Sequence, residues 1–572
     1  MAVPCHRNHI NTHNSTRTKR AGIFGKNNNI MKKEGEGEDR EGALAAAGFA
    51  VVLVLVGLPV WWYTTTVYRA TLPYATIEQL SHQLRHHTVG LDVVGQVRAS
   101  FKDDLETKLE SMQSVKFLLT HRLPTREEQT LLKSTHQSLS DLDLNLSNKI
   151  HVANGNLAVV VMEEGNNNNI MDNSSVIVGR QRIIFVTPNA DLGVLASVVR
   201  GMVMDVLASK RAHVARPLHQ LPGQHKQEAM RQVPTEPGYD VTLTLMVPEP
   251  HRTKVNWDAK AAVDEYLGPV VRQLESVAVV SVRSQVLYMT GLSVTPEWSP
   301  RHQHYALPHH QLPLTINAIE AKLGSFVWTR PSLHFVVYVP RENQMPLVIH
   351  SPDGTPLTTN SFLVPRWGGV MIHNVPPVDN TNTTTTAAMS PRYLTLDSHW
   401  VMSTVITHLH HLLPIPTLKE TPEVKLLAPT SPYQLTEWQV DALARARVSA
   451  YLANIRTTLQ SLCELVGEIS NMVISDEVGG WVWGAVEEWG ECGHAAREGR
   501  LQEATLYCTR SFTQADAAFF HPSMLALLYF PDNQKYAIYV PLFLPVSIPV
   551  LLSLKMVFSL FKKGLKSKVK ED

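Results

Sequence analysis

Two uncharged apolar stretches, one near each end, constrain this chain of 572 residues more than anything between them. Leu44–Tyr63 reads LAAAGFAVVLVLVGLPVWWY, and Tyr536–Leu554 reads YAIYVPLFLPVSIPVLLSL. About 20 apolar residues in a helix cross a bilayer core, so each stretch predicts a membrane-spanning helix. The spans are expected at 43–63 and 536–561, on either side of a large central region, 64–535. Orientation follows from the basic residues. Arg17, Lys19, Arg20, Lys32, Lys33 and Arg40 precede the first stretch; Lys562, Lys563, Lys566, Lys568 and Lys570 follow the second. Lys and Arg beside a span mark its cytosolic side. A disordered basic leader, 1–42, and a basic tail, 562–572, are therefore expected in the cytosol, with the centre on the far side. Trp61, Trp62, Tyr63, Tyr536 and Tyr539 stand where interfacial anchors belong. A cleaved signal peptide fits less well, because the leader is long and GLPVWWY offers no small-residue cleavage site.

Smaller signals agree with a lumenal centre. Lys568 and Lys570 are third and fifth from the last residue, which resembles the dilysine retrieval signal of endoplasmic reticulum membrane proteins. Asn145, Asn173 and Asn382 head glycosylation sequons within the central region. Asn382 is the foremost acceptor, lying in a Thr-rich stretch before Pro391. The net charge is +1 while both ends are basic, so the middle is slightly acidic and offers no nucleic-acid surface. Cys463, Cys492 and Cys508 fall in the centre, and Cys5 in the leader. Cys492 and Cys508 flank Gly499, the expected turn of a helical hairpin. Helix axes about 8–10 Å apart only sometimes bring two Cα atoms within disulfide reach, so the spacing leaves that bridge open.

The centre reads as α/β over about 75–430 and as helix over about 436–519. Runs rich in β-branched residues begin at Leu91, Leu157, Arg182, Asp240, Val277 and Leu333. Helical stretches are expected at Leu192–Lys210, Trp257–Glu275 and Trp400–Leu413, which gives the rhythm of an α/β core. PLVIHSPDG predicts a strand entering a turn at Asp353-Gly354. Asn-rich pieces at Lys26 and Gly165 predict unstructured insertions, and the segment around Leu218 a loop. Thr436 and Gln439 form a capping box. Val448, Leu452, Ile455, Leu459, Leu462, Val466 and Ile469 then put one apolar face on a long helix. Further helix fits Val478–Trp489 and Leu501–Phe519. The expected fold is thus two transmembrane helices, one near each terminus, flanking a large lumenal mixed α/β domain that ends in a long helical hairpin.

No local motif commits the chain to chemistry. There is no G-x-S-x-G elbow, H-E-x-x-H helix, P-loop or dinucleotide fingerprint. Cys463 lies within an apolar stripe, with no neighbouring base to lower its pKa. His309, His310, His408, His410 and His411 lack companions at ligand spacing, and Asp353 is explained by its turn. No catalytic, cofactor-binding or metal residues are therefore assigned. Pro541, Pro545 and Pro549 recur every four residues and share one helix face. Each disturbs a backbone hydrogen bond, so that face is expected to pack against partner spans.

Four segments carry a likeness to a known family. GLPVWWYTTTVYRATLPY (Gly57–Tyr74), PRWGGVMIHNV (Pro365–Val375), GEISNMVISDEV (Gly467–Val478) and Phe520–Leu554 resemble, in the same order, the S-subunit (PIG-S) family of the glycosylphosphatidylinositol (GPI) transamidase. The resemblance runs from Gly57 to Lys555 and departs at the leader, at the insert near Gly165 and near Leu218. It implies a lumenal, non-catalytic subunit of an endoplasmic reticulum membrane enzyme. That enzyme cuts a carboxyl-terminal signal from a proprotein and joins the new end to the ethanolamine amine of a GPI lipid. The nucleophile would belong to a caspase-like K subunit with a Cys/His pair. The T, U and GPAA subunits and membrane lipid would be further partners, and any contact with GPI lipid or proprotein indirect. The competing reading is a stand-alone, membrane-anchored lumenal hydrolase or transferase, its site built from scattered residues of the α/β part.

Overall fold

A computed structural model of the chain describes residues 41–42, 44–45, 47–66, 68–80, 87–110, 115–133, 138–162, 174–203, 230–323, 330–375, 391–429, 431, 433–469, 472–525, 537, 540–541, 543–545, 547–552, 554–555, 557–559 and 562. The chain divides into two units. One gathers Met1–Arg69, Glu468–Val473 and Ala526–Asp572; the other, far larger, is Ala70–Gly467 with Ile474–Leu525.

In the larger unit the β-branched runs become two main sheets. In the first, His87–Val94 lies parallel between Val115–Arg122 and Leu157–Val161. Ile183–Val186 continues the parallel set, and Val176–Val178 pairs antiparallel with it. Val424–Leu426 closes that edge, parallel to Val176–Val178. The three strands Leu157–Val161, Val176–Val178 and Ile183–Val186 are buried at every position, as apolar runs covered on both faces must be. Helices Phe101–Leu109 and Leu192–Val203 fill one face through Leu105, Leu109, Leu195 and Val199. Leu142 and Leu146 of helix Leu139–Ile150 fill the other.

The second sheet repeats this plan. Gly238–Val247 lies parallel between Val279–Tyr288 and Ser332–Tyr338; Gly368–Ile372 continues the parallel set, with Ser361–Val364 antiparallel beyond it. Numbered along the chain, the four parallel strands of each sheet are ordered 4-3-1-2, and the strand just before the fourth is its antiparallel neighbour. In both, the helices after the first and fourth parallel strands pack together. In the second sheet these are the segments Ala259–Ala262, Val263–Leu267 (π-helical) and Gly268–Leu274, against Ser398–Leu412. The duplication is invisible in the residues, because strand order is a property of the chain's path and not of its letters.

One quoted motif gains a physical reason here. Within PRWGGVMIHNV, Gly368 has φ +144° and lies so close to the backbone of His334 that a Cβ would overlap its carbonyl. A Cβ on Gly369 would strike the His408 imidazole. Only glycine lets this strand lie flat between its neighbour and the helix Ser398–Leu412.

Three helices complete the larger unit. Glu437–Glu468 is 32 residues long and starts where the capping box predicts: the Gln439 side chain accepts from the Thr436 N–H at 3.0 Å. Val448, Leu452, Ile455, Leu459, Leu462 and Val466 are buried, while Ile469 lies past the helix end and is half-buried. Asp476–Arg497 and Leu501–Phe519 form the hairpin, with Gly499 at φ +77° in the turn.

The expected membrane spans are not found. Among the described residues no helix is long and apolar enough to cross a membrane, which overturns the two transmembrane helices expected at 43–63 and 536–561. At the front the helix is interrupted by a π-helical segment, Leu53–Gly57, and the α-helix after it, Leu58–Thr65, has eight residues and a proline in its first turn. Eight residues rise about 12 Å, against a hydrocarbon core of about 30 Å. Counting apolar letters measured the front stretch and missed the π-helical segment that divides it. The leader up to residue 40, the tail beyond Lys562, the Asn-rich pieces, the loop near Leu218 and residues 204–210 of the expected helix Leu192–Lys210 lie outside the described residues.

Candidate interaction surfaces

The long helix Glu437–Glu468 holds the two sheets through buried charge. Arg182, from the first sheet's hairpin, grips Asp441 with Nε at 2.5 Å and Nη2 at 3.0 Å, and reaches Glu437 at 3.1 Å. Burial opposes the Arg182 charge, but the bonds to Asp441 and Glu437 outweigh it and raise the pKa. Asp441 also accepts from the Gly155 N–H at 3.0 Å, and Arg445 donates to the Gly155 carbonyl at 2.8 Å. Full burial pulls the Arg445 guanidinium down to about 10, against the opposing pull of Asp441. Two residues further on, Arg447 donates to the Tyr451 hydroxyl at 2.7 Å, to Tyr239 of the second sheet at 3.2 Å, and to the Glu236 carbonyl. Such pairs add little net stability, yet losing one partner strands the other charge at a cost of about 3–5 kcal/mol. They fix position.

The hairpin is stapled. Cys492 and Cys508 form a disulfide with Cα atoms 5.2 Å apart, the arrangement that spacing alone left open. Trp489 Nε1 donates to the Leu452 carbonyl at 3.1 Å and Ser511 Oγ to the Ala485 carbonyl at 2.6 Å, locking the three helices together.

Among the described residues, the cysteine and histidines singled out by sequence are poorly placed for covalent chemistry. Cys463 is half-buried, and burial followed by the Glu464 charge pushes its thiol up, away from the reactive thiolate. Burial drives His408 and His410 down to about 4, so both are neutral at physiological pH. His309 and His310 are exposed in a short 3-10 turn. His304 and His350 meet at 2.8 Å between their Nε2 atoms, a pairing no sequence signal announced. Among the described residues no three His, Cys, Asp or Glu side chains are grouped to hold a metal ion. Asp353 lies in a tight turn closed by the Gly354 N–H to the Ser351 carbonyl at 2.9 Å.

The site residues expected from sequence are only partly described. Asn145 is half-buried within helix Leu139–Ile150, whereas Asn173 and Asn382 lie outside the described residues. Pro541, Pro545 and Pro549 are helical and exposed. They belong to the smaller unit, where Trp61 meets Phe543 edge-to-face at 5.8 Å and Arg69 Nε donates to the Met472 carbonyl at 3.1 Å. That unit also exposes Leu55, Trp62, Phe543, Leu551, Leu552 and Phe558, apolar surface of the kind that other proteins or lipid cover. The buried arginine clamps escaped sequence reading because each joins residues hundreds of positions apart.

Residues 48–564 match the family described as PIG-S, "Phosphatidylinositol-glycan biosynthesis class S protein". The chain belongs to the PIG-S family. It is 34% identical to the "GPI-anchor transamidase component PIGS" of Rattus norvegicus, over 93% of this chain and 97% of that protein. The Homo sapiens protein of the same name is 34% identical over 94% of this chain and 98% of its own length. The "GPI transamidase component PIG-S homolog" of Schizosaccharomyces pombe is 26% identical over 88% and 81%. The PIG-S match takes in both sheets, all three long helices and most of the described residues of the two apolar ends.

Proposed function

We propose that this chain is a non-catalytic assembly subunit of the GPI transamidase at the endoplasmic reticulum. As a PIG-S family member it takes the component role that its relatives carry in their names; the observation that carries this is 34% identity along 93% of the chain. A stand-alone hydrolase or transferase is not favoured. A helical platform clamped by Arg182–Asp441 and Arg447–Tyr239 supports a positioning role, since it holds two lobes rigidly without presenting an activated nucleophile. The disulfide supports an oxidising compartment for the larger unit. The K subunit would supply the nucleophile, with the T, U and GPAA subunits as the other partners.

The exposed edge bearing Pro541, Pro545 and Pro549 is assigned to contacts with those subunits. Asn382 and Asn173 are assigned as the glycan acceptors, ahead of Asn145, whose helical and half-buried setting suits a glycan poorly. Affinity purification of the tagged chain in mild detergent should recover the K, T, U and GPAA subunits together. Replacing the three prolines with leucine should lower that recovery while leaving the chain folded. Peptide-to-amine transfer by the purified chain alone would overturn the non-catalytic reading. Endoglycosidase treatment should shift the mobility of the wild-type chain, and Asn382→Gln should remove part of that shift.

A further inference from the structure

The second sheet contains an open cavity of about 610 Å³ beyond the carboxyl ends of its parallel strands. Its lining includes Tyr338, which ends strand Ser332–Tyr338, and Arg341, three residues later, with Gln344, His310 and Gln311 around them. Its walls come from Gly291–Pro296, the segment after Val279–Tyr288, and from the end of Ser332–Tyr338 and the residues after it; these are the two strands that flank Gly238–Val247.

The lining chemistry is one-sided. No carboxylate borders the cavity, while Arg341 does. The next residue, Glu342, is fully engaged elsewhere, by Arg252 and Arg392 at 2.9 Å each. Among the described residues Arg341 makes no ion pair. Burial, helped by the Glu249 charge, pushes the Tyr338 pKa up to about 12 despite Arg341 and the Leu292 N–H, so the hydroxyl keeps its proton and can donate. Gln311 Oε1 is buried without a hydrogen-bond partner, and an amide whose O and N are interchangeable can turn either end to a ligand. Leu314 and Leu347 supply an apolar wall.

The first sheet, built on the same strand order, shows what a closed version looks like. There Gly95 packs against Val161 at the carboxyl end of the central strands, leaving no space for a Cβ. Arg122, ending the neighbouring strand, is neutralised by Glu128 through two bonds of 2.8 Å. Arg341 has no such carboxylate.

We propose that this cavity binds the phosphate group of a small phosphate ester, with Arg341 and Tyr338 as its principal donors and the leucine wall against the ester's organic part. Phosphate is chosen over carboxylate on donor number. A guanidinium fork, a phenol, the Gln344 amide and the His310 ring surround the space, and three strong acceptor oxygens can use them all. A free metabolite and a lipid headgroup share this chemistry.

The test is isothermal titration of the full chain, purified in mild detergent, with glycerol 3-phosphate, glycerophosphoethanolamine, inorganic phosphate and acetate as separate probes. Saturable binding of at least one phosphate ester, tighter than acetate, is expected. Preference for glycerol 3-phosphate points to a free metabolite, and preference for glycerophosphoethanolamine to a headgroup. Arg341→Ala and, as a second variant, Arg341→Gln should weaken the preferred ester about tenfold or more, as expected for loss of a charge-assisted hydrogen bond. Tyr338→Phe should weaken it less; the Arg341 variants should keep the wild-type melting temperature, while Tyr338→Phe, which leaves the Leu292 N–H without its acceptor, should lower it. Absence of ester binding, binding unaltered in both Arg341 variants, or acetate binding as tightly as the esters would each overturn the proposal. Recovery of the partner subunits by the Arg341 variants is expected to be unchanged, so the assembly role and this site fail separately.

Discussion

At the scale of single residues, buried titratable groups make stability depend on pH in two opposing ways. Asp143 sits against the tight turn joining Val176–Val178 and Ile183–Val186, and its Oδ2 accepts from the Arg180 and Gln181 N–H groups at 2.7 and 3.1 Å. Burial outweighs those bonds and raises its pKa from 3.8 to about 6. Between those values the folded state holds a proton that the unfolded state has released, so stability falls as pH rises through that window, by at most about 3 kcal/mol. Asp143→Asn should remove this component, read from urea midpoints taken across the window. His408 runs the other way. Its pKa falls from 6.5 to about 4 on burial, so its contribution is complete above 6.5 and is lost as pH drops toward 4. His408→Gln should therefore make the acid limb that Asp143→Asn leaves in place shallower, with His410 and His334, lowered to about 4 by the same burial, carrying the rest. Gly368 is a simpler case. Gly368→Ala should cost about 3 kcal/mol or more, seen as a lower melting temperature or loss of soluble protein, because no L side chain fits its φ and its overlap with His334. The glycine pair was visible as letters in a motif; the strand lying across it was not.

Between elements, what the sequence revealed depended on how local the cause was. The helices Glu437–Glu468 and Leu501–Phe519 were legible because capping and apolar period lie within each segment. The disulfide between Asp476–Arg497 and Leu501–Phe519 was not decided by spacing, since helix packing permits both bonded and unbonded cysteines. Closing a loop of 16 residues stabilises by about 3 kcal/mol in the chain-entropy account, so the double variant Cys492→Ser, Cys508→Ser should lose about that much in chemical denaturation. Arg182 and Asp441 lie 259 residues apart, and nothing near either residue signals the pair. Asp441→Ala should destabilise by about 3 kcal/mol or more, because Arg182 and Arg445 would both stay buried without it. Asp441→Asn, keeping the acceptor for Gly155, should cost less.

For the molecule as a whole, composition and rhythm announced an α/β body with a helical end, and the body is there. The apolar ends read as spanning helices, and that reading failed; at the front a π-helical segment changes the backbone without altering hydropathy. The duplicated strand order and the open cavity of the second sheet arise from long crossovers that no window of residues contains. One further point follows from the last strand of the first sheet. Val424–Leu426 joins Val176–Val178 only after the entire second sheet has been synthesised. During translation the ribosome therefore releases every strand of the second sheet before the first can acquire its final edge. The nascent chain must keep the edge strand Val176–Val178 from pairing elsewhere for roughly 250 residues, about 12–50 s at 5–20 residues per second. An incomplete, strongly apolar sheet exposed for that long is a natural client for chaperones. The biosynthetic order of this protein thus places its greatest aggregation hazard in the half that, once finished, is the more tightly closed.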